Sequence, residues 1–215
     1  ENVDAVIAGA SGNLDRHIRN MAGFGMPVIV SINRFSTDTD AELAALEDVA
    51  RASGATSVNL CEVHANGGAG GEELAKAVVS AVHDHVAAGR PFTPLFMPDA
   101  TIREKIDSIA TRIYKAERVQ IEASAARQLL QIEKWGYGNL PVCMAKTQYS
   151  FSHDPNLLGS PSGFTVPIKE FRLNAGAGFV VAICGNMMTM PGLPKRPAAL
   201  DMDMDENGNL IGVFG

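Results

Sequence analysis

The sequence lacks a basic run, paired cysteines, an apolar stretch of membrane length and a G-x-x-x-x-G-K-[ST] phosphate loop. Without a basic run, nucleic acid is not an expected partner: 18 Lys and Arg face 24 Asp and Glu, for a formal charge of −6 and no block of either sign. Cys61, Cys143 and Cys184 are far apart and set among apolar residues, which excludes zinc-ligand spacing and fits buried reduced thiols in the cytoplasm. A membrane span needs roughly 18 to 20 apolar residues; no such run occurs, nor does a basic-then-apolar leader. The chain opens at Glu1, without Met and with no strand before its first helical pattern, so a truncated or cleaved polypeptide is expected. The remaining composition is that of a folded protein, 46% hydrophobic and 20% charged, which argues against disorder and fits one domain with an appendage.

Periodicity divides the chain into elements. Leu14, Ile18 and Met21 form one apolar helix face, ended by Gly23 and Gly25. Pro27 to Ile32 is almost unbroken apolar sequence, as in a strand buried on both faces of a parallel sheet. Thr39 and Glu42 have capping-box spacing and predict a helix that carries Leu43, Leu46 and Val49 inward and stops at Gly54. A second strand, Thr56 to Cys61, leads into the glycine turn Gly67 to Gly71 and a helix with a buried stripe of Leu74, Val78, Val82 and Val86. This alternation predicts adjacent parallel strands joined by a right-handed crossover.

Pro91, Pro94 and Pro98 mark a connector. Beyond it, Thr101 and Glu104 form a second capping box, opening a helix with Ile102, Ile106, Ile109 and Ile113 on one face. A helix from about Ser124 to Trp135 follows. Strands are expected over Leu140 to Ala145, Phe164 to Leu173 and Gly178 to Cys184, with a hairpin turn at Glu206 to Asn209.

In a doubly wound sheet, ligands bind beyond the carboxyl ends of the strands, which directs attention to the loops after Ile32 and Cys61. The first, Asn33 to Asp38, sets Phe35 among polar residues; the second, Glu62 to Asn66, carries His64. If the strands are neighbours, Phe35 and His64 face one crevice and can sandwich a flat heterocycle; the plain alternative is a ring capping the local core beside a solvated histidine. Lys146, directly after a buried strand, is placed either to face an anion or simply to meet solvent. Gly67 to Gly71 lacks the Lys and Ser/Thr of a phosphate cradle. No metal site is expected: His83 and His85 point to nearly opposite helix faces, and the Asp201, Asp203, Asp205 series has Phe214 where a calcium loop needs Glu.

Four segments carry a family resemblance: INRFSTDTDAEL from Ile32 to Leu43, the loop and glycine turn from Glu62 to Leu74, NLPVCMAKTQYSFSHDPNLLG from Asn139 to Gly159, and AGAGFVVAICGNMMTMPGLPKRPAA from Ala175 to Ala199. They resemble stretches of formate–tetrahydrofolate ligases, and the resemblance runs over essentially the whole chain. It implies an ATP-dependent carbon–nitrogen ligase that joins formate to N10 of tetrahydrofolate through formyl phosphate, giving 10-formyltetrahydrofolate, ADP and phosphate. The implied fold is α/β: parallel βαβ layers of a P-loop NTPase-like core over residues 1–90, then a smaller C-terminal α+β domain over residues 91–215. The chain resembles the C-terminal portion of the family, without the phosphate-loop region, and is therefore expected to be inactive alone.

The resemblance also implies ATP with Mg and tetrahydrofolate as substrates, and as partner either further copies in a homo-oligomer or the missing N-terminal half. It makes Phe35 the first of two pterin-holding aromatics; at the second position, usually Trp, this chain has His64, which stacks with less area. Asn33, Asp38 and Lys146 are candidate ligand contacts by their position after strands, the resemblance makes Thr189, Pro191 and Leu193 the adenine-side candidates, and no catalytic residue is identified. Two other readings stay open. One is a non-catalytic folate-binding or assembly domain. The other is a GTP-binding module, because a strand ending in Asn33-Arg34 resembles Asn-Lys-x-Asp, with Ser36 where the Asp is required.

Overall fold

The computed structural model describes residues 1–186 and 196–212. Two compact units are present, residues 1–185 and 186–215. The first is mixed α/β, as expected, and contains two sheets.

The chain begins with helix α1 (Val3–Gly9), which passes through a π-helical turn, Ala10–Leu14, into α2 (Asp15–Ala22). Strand β1 (Ile29–Asn33), helix α3 (Asp40–Ala52) and strand β2 (Ser57–Cys61) follow. The strands are adjacent and parallel, with Ile29 opposite Ser57 and Asn33 opposite Cys61. The capping box forms: Glu42 N donates to Thr39 Oγ1 and Thr39 N donates to Glu42 Oε2, both at 3.2 Å. Glu42 also accepts from Asn2 N, and these backbone donors hold its carboxyl below the usual range. Ile18, Ile32, Leu43, Ala50 and Val58 make the buried core of this layer.

After short helix α4 (Val63–Asn66) and a 3-10 turn at Gly67–Gly71, helix α5 (Glu72–Ala87) lies against β1 and β2. Three expectations are corrected in this layer. Of the predicted stripe of α5 only Leu74 turns inward: Val78, Val82 and Val86 are exposed, and the more buried side is Leu74, Ala77 and Ala81. Small alanines give the helix a closer approach to the sheet than valines do. Met21 is exposed as well, leaving Leu14 and Ile18 to pack inward. Finally, β1 is not buried on both faces: Ser31 and Asn33 are exposed.

Helix α6 (Ile102–Ser108) ends in a second π-helical turn, Ile109–Ile113. Ala110 is fully buried and Ile109, expected inward, only half so, because Ile102, Ile106 and Ala110 follow the i, i+4 row of the helix. Then come β3 (Arg118–Ile121), α7 (Ala123–Lys134), β4 (Val142–Ala145), β5 (Thr165–Asn174) and β6 (Phe179–Cys184). The sheet order is β3-β5-β6-β4, mixed in sense: β3 and β5 run parallel, β5 and β6 antiparallel, β4 and β6 parallel. Its core joins Ile102 and Ile106 to Val166, Ile168, Phe171 and Val180. Lys105, 2% exposed, is buried at its edge, donating to the carbonyls of Pro98 (2.9 Å) and Asn139 (2.7 Å). Desolvation lowers its pKa. Cys61 and Cys184 are buried free thiols, whereas Cys143, expected buried, is exposed.

In the second unit, β7 (Asp203–Met204) and β8 (Leu210–Ile211) form the expected hairpin. Asp205 closes its turn, accepting from the backbone N–H of Asn207 and Asn209 at 2.9 and 2.8 Å.

Candidate functional site

Strands β1 and β2 end side by side, and the loops that leave them form a cavity of about 540 Å³. Phe35 and His64 both line it, with Asn33, Arg34, Glu62 and Val63 among their neighbours. The geometry begins in the sheet itself, because Arg34 N donates to Cys61 O at 3.1 Å and extends the ladder by one step. There the chain turns sharply. Phe35 N donates to Asp38 Oδ2 at 2.8 Å, and Asp38 N donates back to Phe35 O at 3.1 Å. With its backbone tied on both sides, Phe35 holds its ring outward, 68% exposed.

The second wall is shaped by a glycine. Glu62 N donates to Gly70 O at 3.0 Å, and Ala65 and Asn66 donate back to Glu62 O. A side chain at Gly70 would collide with the Glu62 carbonyl group and lie 2.8 Å from Val63 N, so only glycine permits this approach. The glycine turn thus presses the short helix α4, which carries His64, against the end of β2. Across the opening, the Arg34 guanidinium reaches Asp40 Oδ1 at 3.1 Å and Glu62 Oε1 at 3.7 Å. These pairs are partly exposed and contribute little stability, but they set a polar rim beside two apolar groups, Phe35 and Val63.

Asn33, Phe35 and His64 therefore share one cavity. Asp38 does not line it and instead braces the loop. Lys146 lies in a different cavity, of about 370 Å³, together with His17, Tyr114, Met144 and Phe151. Its ammonium donates to the carbonyls of Thr147 and Ser150 and lies 5.1 Å from the Tyr114 ring centroid. Desolvation lowers its pKa, and two of its three N–H donors pin the loop after β4. Thr189, Pro191 and Leu193 fall outside the described residues. Arg34, Glu62, Val63 and Gly70 were not singled out from the sequence. The visible signal for Gly70 was its place in a five-residue glycine-rich turn, while Arg34 and Glu62 meet only because two loops converge.

Among the described residues, no group of three or more His, Cys, Asp or Glu is arranged to hold a metal ion. No described helix is long and apolar enough to cross a membrane.

Comparison with known proteins gives one family. The model of the formate–tetrahydrofolate ligase family matches residues 1–214. Similar relatives include the formate–tetrahydrofolate ligases of Methylobacterium nodulans (52% identical over 216 residues), Paracoccus denitrificans (51% over 214) and Methylorubrum populi (50% over 214). Each match takes in 100% of this chain and 38% of the relative's length.

Proposed function

The chain belongs to the formate–tetrahydrofolate ligase family, and from that premise we propose that it supplies the folate-side crevice of an ATP-dependent ligase joining formate to N10 of tetrahydrofolate. The observation that carries this reading is the shared cavity of Phe35, His64 and Asn33 at the carboxyl ends of two parallel strands. An exposed ring held outward by its own backbone hydrogen bonds, facing an imidazole across a cleft, suits a flat heterocycle such as a pterin. Asn33 and the Arg34–Glu62 rim offer donors and acceptors to its polar edge.

In the proposed reaction, formate attacks the γ-phosphorus of ATP, releasing ADP and forming formyl phosphate. The N10 lone pair then attacks the formyl carbon, the C–O bond to phosphate breaks, and N10 loses its proton. Phosphorylation is needed because formate otherwise has only oxide to expel. The task of this chain is positioning: holding the pterin so that N10 meets the mixed anhydride. The phosphates of ATP, with Mg, are assigned to other parts of the ligase, since this sequence has no phosphate loop. On the same reading, the layer of β1, α3, β2 and α5 is the remnant of a P-loop NTPase-like core, residues 1–90 and 91–215 form separate segments, the adenine side involves Thr189, Pro191 and Leu193, and the ligase is a homo-oligomer. The 215-residue chain is expected to form no 10-formyltetrahydrofolate by itself.

Phe35→Ala tests the crevice. It should leave thermal stability nearly unchanged while weakening tetrahydrofolate binding by about 0.5 to 1.5 kcal/mol or more, measured in this chain and, at the corresponding position, in an intact relative. His64→Trp should tighten binding by covering more of the pterin face. A much lower melting temperature with unchanged folate affinity would assign Phe35 to the core and end this reading.

A further inference from the structure

A third cavity, of about 240 Å³, lies away from the crevice, between α2 and the π-helical turn that ends α6. Arg16, Arg19, Arg112 and Lys115 line it, and no carboxylate does. Arg19 is paired with Asp15 at 2.8 Å. Arg16, Arg112 and Lys115 have no carboxylate partner among the described residues. The two arginines are held by carbonyl oxygens instead: Arg16 donates to Tyr114 O at 3.4 Å and Ser160 O at 3.3 Å, and Arg112 donates to Leu95 O at 2.7 Å. Such contacts fix each guanidinium without cancelling its charge, and leave other N–H groups free. Three cations without an ion pair surround one opening, Arg16 feeling only the longer-range field of Asp15, and they stand out in a chain of net charge −6.

The backbone points the same way. Helices α3, α5 and α7 are each followed by a left-handed residue, and in each case it is glycine: Gly54, Gly89 and Gly136. This is the usual solution, since a Cβ is strained in that conformation. The turn after α6 instead places Lys115 there, at φ 60°, the only non-glycine residue with positive φ among those described. A lysine standing where glycine costs less is accounted for if its ammonium is used, and that residue lines the cavity. The framework is also rigid, because Asn20 Nδ2 donates to Ile113 O at 3.1 Å and takes up a carbonyl of the π-helical turn.

We propose that this pocket binds a compact oxyanion carrying two or more negative charges, of phosphate or polycarboxylate type. Calorimetric titration of the 215-residue chain with inorganic phosphate and, separately, with citrate, at constant ionic strength set by chloride, tests it. Saturable one-site binding is expected for at least one probe: phosphate alone marks a phosphoryl group, citrate alone a polycarboxylate, and both mark charge as the main determinant. Lys115→Gly removes the cation and relieves the backbone together, so it should hold or raise the melting temperature while weakening the anion about tenfold. Lys115→Arg should keep the binding. The absence of saturable binding by either probe overturns the proposal, as does an affinity that Lys115→Gly leaves unmoved. Neither probe has a ring to stack, so the result is independent of the folate crevice.

Discussion

The two sheets of the first unit are built to different depths. The β3-β5-β6-β4 sheet is packed by α6 and α7, and Ile102, Ile106, Val166, Ile168 and Val180 are completely buried in its core. The β1-β2 sheet has two strands and a buried core of five residues, two of them at 7% and 9% exposure. One of its faces is partly open at Ser31 and Asn33, and the valines of α5 point to solvent. Two strands are too few for a sheet to hold itself, and parallel strands are ordinarily covered on both sides. The difference teaches where stability resides and, on the proposed function, where recognition does: the deep sheet supplies most of the apolar burial, while the thin one ends in exposed side chains and polar loop backbone.

The largest expected effect lies in the deep core. Phe171, 4% exposed, should cost about 3 to 5 kcal/mol when changed to Ala, read by urea denaturation. Equal losses for Phe171→Ala and Phe35→Ala would erase the contrast between the sheets.

Alkaline pH should loosen the deep sheet next. Burial pushes the Cys184 thiol from 9.0 up to about 12 and the Tyr114 hydroxyl from 10.0 up to about 12. Both groups are neutral when protonated, so the unfolded chain releases its protons first. Between pH 9 and 12 the folded state binds more protons, and stability falls as pH rises. The stabilisation is complete below about pH 9, and the loss should reach a few kcal/mol by about pH 12. Melting curves across that range should show the decline, and Cys184→Ala should flatten its first part.

Within the thin sheet, Gly70→Ala sharpens the comparison from the other side. Its methyl group would meet the Glu62 carbonyl, which is backbone and yields only if the loop moves. A cost of roughly 1 to 3 kcal/mol is expected, together with loss of the crevice, seen as weaker tetrahydrofolate binding than in Phe35→Ala. The smallest effect is predicted for Val82→Lys on the outer face of α5, within about 0.5 kcal/mol by thermal melt. Ala81→Lys, one residue away on the buried side, should be far worse. If the two are alike, α5 does not pack as described.

Much of this was legible from local pattern. Both capping boxes announced their helices, because Thr39 with Glu42 and Thr101 with Glu104 satisfy orphan N–H groups within four residues of chain. The parallel pairing of β1 with β2 followed from strand, helix and strand in order, and it brought Phe35 and His64 to one cavity. What failed did so for physical reasons. The valines of α5 and the alanines beside them lie on neighbouring stripes, and apolar spacing cannot tell which stripe meets the sheet. Strand β3 is four residues long and takes its stability from β5, 47 positions later (165 − 118). The basic cavity draws Arg16 and Lys115 together from positions 99 apart (115 − 16).

The sequence by itself determined the capped starts of α3 and α6, the first βαβ unit, the segments that hold Phe35 and His64, and the family resemblance, because these rest on hydrogen bonds and periodicities local to the chain. Only the tertiary structure decided the mixed order of the second sheet, the outward face of α5, the internal use of Lys146 and the gathering of cations around Lys115. Each of these depends on which distant segment lies alongside, and that is set by packing over the whole fold, which no short window of sequence records.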